Sequence, residues 1–128
     1  MKKLFIVFIL STQLFATNTF VIDVRTDDEF NSGHVESAIN IEWQDIVSVA
    51  NMIDEDDQVF LYCRSGNRSQ KATNILIDIG YKNVINLGSL KDASEFLNEK
   101  IVQWETFLVF FQNLTTKKLS ALMVVVLE

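Results

Sequence analysis

Proline is missing from this sequence, and cysteine and histidine occur once each in its 128 residues. A single cysteine, Cys63, excludes an intramolecular disulfide and any metal site built on several thiolates. A lone His34 adds no zinc ligand set, so neither a metal nor a cofactor is expected. With four glycines and no proline there is no linker or low-complexity tract, and the length admits one domain. Basic side chains are outnumbered, 11 against 17 acids, for a net charge of −6. That balance argues against nucleic acid as a partner, because nucleic acid selects a basic surface. No apolar run is long enough to cross a bilayer, so no transmembrane span is expected in the mature protein.

What is present centres on the stretch Tyr62-Cys63-Arg64-Ser65-Gly66-Asn67-Arg68-Ser69. An apolar run, Val59 to Tyr62, precedes it and reads as a buried strand. Ala72, Ile75, Leu76 and Ile79 follow at the spacing of one helix face, predicting a helix over Ser69–Ile79 that Gly80 terminates. Cys63 therefore ends a strand on a loop that opens a helix. Backbone N–H groups in such a loop can converge on an anion, and the helix N-terminus adds partial positive charge. Gly66 can supply the positive φ of the turn, and Arg64 and Arg68 bring full charges. All of these favour the thiolate of Cys63, which is the nucleophilic form.

Upstream, Met1-Lys2-Lys3 and the apolar run Leu4–Leu10 lead to a more polar stretch ending at Ala16. This is the pattern of a secretory signal peptide over residues 1–16, so an exported, periplasmic-type location is expected. Phe20–Val24 reads as the first core strand. Thr26 and Glu29 have the capping-box spacing, with Asp27 and Asp28 at the positive end of a short helix. Asp23 and Arg25, at the carboxyl end of that strand, read as a structural ion pair supporting the site. His34 reads as a ring bonded to nearby backbone and not as a general base. Further elements are a strand over Ala38–Ile41, a helix over Trp43–Ala50, a strand over Val84–Leu87, and a helix from Lys91 to about Gln103. That last helix carries Ala93, Phe96, Leu97 and Ile101. The acids Asp54 to Asp57 read as a solvated turn. Alternating strands and helices predict an α/β fold, a central parallel sheet with helices on both faces.

Arg68 follows Cys63 with four residues between them. A tyrosine-phosphatase loop has five, which would place its arginine at Ser69. With the loop, the segments Asp23-Val24-Arg25, Glu29-Phe30, Gly33-His34-Val35, Ala38-Ile39-Asn40-Ile41 and Asn86-Leu87-Gly88 make residues 20–103 resemble the rhodanese family of sulfurtransferases, in its single-domain form. Glu36 and Glu42 stand where relatives often have proline, and Gly88-Ser89-Leu90 where they often have Gly-Gly-aromatic.

The resemblance implies that the Cys63 thiolate takes a sulfane sulfur from thiosulfate or a similar small anionic donor. A thiol acceptor, a protein thiol included, or cyanide in an assay, then removes it. It also implies that Arg64, Ser65, Gly66, Asn67, Arg68 and Ser69 bind the substrate. Two alternatives stay open: a persulfide carrier serving a protein partner with little turnover of small molecules, and a Cys-based phosphatase or arsenate reductase, against which the four-residue gap argues. Residues 104–128, with Phe107–Phe111 and Leu119–Leu127 mostly apolar, read either as a real extension or as sequence from an altered reading frame.

Overall fold

The computed structural model describes residues 17–103. The expected signal segment 1–16 and the atypical tail 104–128 lie outside the described residues. Four parallel strands form the sheet, in the order β3 (Ile39–Asn40), β1 (Thr19–Asp23), β4 (Gln58–Cys63), β5 (Asn83–Ser89). Strand β1 runs in register beside β4 from Thr19 opposite Gln58 to Asp23 opposite Tyr62.

Side chains alternate across a strand, and this alternation sorts the core into two layers. Ile22 and Val24 share one face with Val59, Leu61 and Cys63 of β4. They pack under Ile46 and Val49 of a 3₁₀ helix (Trp43–Asn51) and under Ala72 and Leu76 of helix α2 (Asn67–Asp78). Val21 and Tyr62 point the other way, onto Val35, Ala38 and Ala93, with Phe30 of helix α1 (Asp27–Asn31) and Leu97 of helix α3 (Leu90–Leu97) against them. Each fully buried aliphatic side chain in these layers contributes about 1.5–3 kcal/mol. The α/β architecture with both sheet faces covered is the one expected.

Local chemistry sets the element ends. Thr26 caps α1 in a full capping box with Glu29. Gly80, at φ 112°, follows the end of α2, and Tyr81 N–H returns to the Leu76 carbonyl at 3.0 Å. The acidic turn is exposed apart from Asp57, which is buried and accepts the Asn18 N–H at 2.8 Å.

Four expectations are corrected. The segment from Trp43 is a 3₁₀ helix and not an α-helix; its buried Ile46 and Val49 are three residues apart, a spacing both helix types satisfy. Ile79, counted on the buried face of α2, is 40% exposed because the helix ends before it. The last helix stops at Leu97, where Asn98 turns left-handed at φ 53°. Ile101 then belongs to strand β6 (Ile101–Val102), antiparallel to β2 (His34–Val35). Glu36 extends this pairing by donating its N–H to the Lys100 carbonyl at 3.0 Å, a bond that proline could not make.

Candidate functional site

Cys63 is the last residue of β4 and points to the α2 face of the sheet, where it is almost fully buried. The chain turns at Gly66, whose φ of 89° puts it in the left-handed region and makes it the N-cap of α2. The turn folds the loop back over the sulfur. Gly66 N–H donates to Cys63 Sγ at 3.0 Å, and the Ser69 hydroxyl lies 3.5 Å from it. Burial works to raise the Cys63 pKa. Hydrogen bonds from the Ser69 side chain and from the N–H groups of Ser69, Ser65 and Gly66 outweigh it, and the thiol sits below its ordinary value. A sulfur held this way is set up to be an anion and a nucleophile.

The β5–α3 turn closes one side. A Cβ at Gly66 would lie 3.3 Å from Gly88 Cα, so the two glycines allow the loops to touch. Ser89 caps α3 in a second capping box, with Asp92.

The two arginines of the loop differ. Arg64 is exposed at the rim, as are Ser65 and Asn67. Arg68 is partly buried and forms a fork with Glu29 of α1, Nη1 to Oε2 at 2.7 Å and Nη2 to Oε1 at 2.8 Å. That bond, with the Thr26 N–H also donating to Glu29, lowers the Glu29 pKa to about 2. Arg68 itself is raised, first by Glu29 and also by the charge of Cys63.

Asp23 and Arg25 lie on the opposite face of the sheet, both buried. Arg25 Nη2 donates to Asp23 Oδ2 at 2.6 Å and to the Gly33 carbonyl at 2.6 Å, over the ring of Tyr62. Their expected structural pairing is observed, and it fixes the chain after β1. Burial, then the Asp23 charge, raises the Tyr62 pKa, and its neutral hydroxyl accepts the Val35 N–H at 3.1 Å. His34 stacks on Phe30 with ring centroids 3.7 Å apart, and its Nδ1 is 2.9 Å from the Phe30 carbonyl. That is the backbone-bonded role expected of it.

The sequence thus brought together Cys63, Gly66, Arg68 and Ser69. It did not single out Glu29 as the Arg68 partner or Asn86 as a neighbour of the loop. Asn86 left one trace: a polar residue between apolar neighbours near the carboxyl end of a strand, on the same face as Val84. A cleft of about 1090 Å³ lies elsewhere among the described residues, at the amino ends of the strands between Thr17, Ile53 and Tyr81.

The rhodanese-like domain family matches residues 10–95. The chain belongs to this family of sulfurtransferases. It is 36% identical over 88 residues to a thiosulfate sulfurtransferase of Escherichia coli, covering 67% of this chain and 84% of that one. It is 31% identical over 67 residues to a Bacillus subtilis protein that bears a sulfur carrier name, covering 52% of this chain and 36% of the relative. Among solved structures it is similar to a rhodanese with anions from E. coli, with a TM-score of 0.59 and 33% identity over 66% of this chain and 98% of that one.

Proposed function

We propose that the protein is an exported sulfurtransferase of the thiosulfate type that works through a Cys63 persulfide. The observation that carries this reading is the Cys63 sulfur, its pKa lowered, receiving the Gly66 N–H at 3.0 Å inside a loop of convergent donors.

The Cys63 thiolate attacks the outer sulfur of thiosulfate. The S–S bond of the donor breaks, sulfite leaves with the bonding pair, and a new S–S bond makes Cys63 a persulfide anion. The loop N–H groups of Ser65, Gly66 and Ser69 that favour the thiolate then favour the persulfide charge, an electrostatic device of the oxyanion-hole kind. Arg64, free of ion pairs among the described residues and exposed, attracts the dianion. Two N–H groups of Arg68 go to Glu29, and the rest stay available to a bound anion. A thiophilic acceptor, cyanide in the assay or a thiol, then attacks the outer sulfur and restores the thiolate. Export rests on the residue 1–16 pattern.

A covalent intermediate between two half-reactions demands ping-pong kinetics. Initial rates with thiosulfate and cyanide varied together test it. Parallel double-reciprocal lines, and no rate with Cys63→Ser, are expected. Intersecting lines would remove the intermediate. The carrier reading draws support from the relative with a sulfur carrier name. Stoichiometric sulfur loading with turnover too slow to account for it would favour that reading.

A further inference from the structure

Asn86 lies on β5, and its amide has four hydrogen-bond partners, on the Cys63 loop, on helix α2 and on the turn beside them. Gly88 N–H donates to Asn86 Oδ1 at 2.9 Å. Asn86 Nδ2 donates to the Gly66 carbonyl and to Gln70 Oε1, each at 3.1 Å. Exchanging the amide oxygen and nitrogen would set donor against donor at Gly88, so the orientation is fixed by its partners. Oδ1 has no proton to give. Ser69 Oγ, 2.7 Å from it, must therefore be the donor. A serine hydroxyl has one proton, and two other acceptors compete for it: the Gly66 carbonyl at 3.0 Å and Cys63 Sγ at 3.5 Å. The sulfur is the most distant of the three.

We propose that Asn86 is a positioning residue for the Cys63 sulfur, acting through Ser69. Its Oδ1 holds the Ser69 proton while Cys63 is a thiol and yields it to Sγ when the sulfur becomes an anion. This rests on Cys63 being the reacting sulfur. In the thiol state the Cys63 S–H donates to Ser69 Oγ, and Ser69 donates to Asn86. When the thiol proton leaves to solvent, the Ser69 hydroxyl rotates to Sγ, and Asn86 Oδ1 keeps the Gly88 N–H. Breaking the Ser69–Asn86 bond offsets part of what the thiolate gains. Asn86 thus keeps the thiolate more basic than the loop alone would make it, and a more basic thiolate is the stronger nucleophile.

The other charged groups near Cys63 are Arg64 on the loop, Arg68 of α2 with Glu29 of α1 locked onto it, and Asp92 of α3 beside Gly88. Asp23 and Arg25 lie across the sheet. The variants below leave all of these in place.

The test is the pH dependence of Cys63 alkylation by iodoacetamide in the full chain, for wild type, Asn86→Ala, Ser69→Ala and the double variant. Freeing an uncontested charge-assisted hydrogen bond moves a midpoint by about one to two pH units. Asn86→Ala lowers the Cys63 midpoint by about one unit with Ser69 present, and by less than about a third of that without it. Ser69→Ala alone raises the midpoint by less than about one unit. An equal Asn86→Ala shift in both backgrounds, or an upward one, overturns the proposal. If Asn86→Ala does not fold, Ser69→Ala decides alone: a rise above about one unit means the hydroxyl serves the sulfur uncontested. Alkylation needs no sulfur donor. A protein that fails to turn over thiosulfate yet shows this coupling contradicts the sulfurtransferase reading and leaves the role of Asn86 standing.

Discussion

Arg68 and Glu29 meet as a fork on a fork, with contacts of 2.7 and 2.8 Å across 39 positions of sequence. One bidentate pair ties the start of α2, beside the Cys63 loop, to helix α1, and the same Glu29 carboxylate caps that helix. The Arg68 guanidinium is thus held in place by the fold itself.

This relationship has a pH signature. The Glu29 pKa falls from 4.5 to about 2 on folding. A carboxylate with a depressed folded pKa contributes stability above its unfolded pKa and loses it as pH falls through the folded one. Stability is expected to decline from pH 4.5 toward 2, and Glu29→Gln is expected to flatten that limb. Urea titrations across the range check it. An unchanged slope in Glu29→Gln would remove the pair from the acid response.

Arg68→Lys keeps the charge and loses the fork. A lysine cannot serve Glu29 on two N–H groups and present others to an anion. The expected result is a KM for thiosulfate raised about tenfold, the loss of one charge-assisted hydrogen bond. Steady-state kinetics that give wild-type KM would exclude Arg68 from donor binding.

Gly66→Ala places a Cβ at φ 89° and within 3.3 Å of Gly88 Cα. The left-handed backbone costs an L-residue about 1–2 kcal/mol, and relief by turning the peptide removes the N–H from the sulfur. A lower melting temperature together with slower alkylation of Cys63 at neutral pH is expected. Loss of stability with unchanged alkylation would mean that the Gly66 N–H does not set the thiolate.

Thr73 tests the core independently of the site. Its hydroxyl is buried and has no hydrogen-bond partner among the described residues. Thr73→Val keeps the shape and removes an unsatisfied group, for an expected gain of about 1 kcal/mol. Denaturant midpoints at unchanged m-value measure it, and a loss of stability would show that the hydroxyl is satisfied.

Elements whose signals are local were legible in the sequence. The apolar run Val59 to Tyr62, with Ala72, Ile75 and Leu76 at helix spacing after it, placed the sulfur at the end of a buried strand, and the structure puts it there. Thr26 with Glu29, and Asp23 with Arg25, are short-range patterns that the structure repeats. The β2–β6 pair was not legible, because two strands of two residues are held by partners some 66 positions apart, Val35 and Ile101. The apolar spacing of Phe96, Leu97 and Ile101 suits a helix, yet Asn98 ends α3 and Ile101 is rewarded by pairing instead. At the site, the sequence placed Arg68 but not Glu29 across from it. It showed Asn86 as one letter of a motif, while the reach of its amide to Gly66, Ser69 and Gly88 depends on β5 lying beside β4.

The central claim is that Cys63 carries sulfur covalently, and intact-protein mass spectrometry before and after thiosulfate tests it most directly. The account predicts a gain of one sulfur, about 32 Da, on the wild-type chain, none on Cys63→Ser, and its loss on adding cyanide. A wild-type protein with free Cys63 that gains no mass under thiosulfate would contradict it.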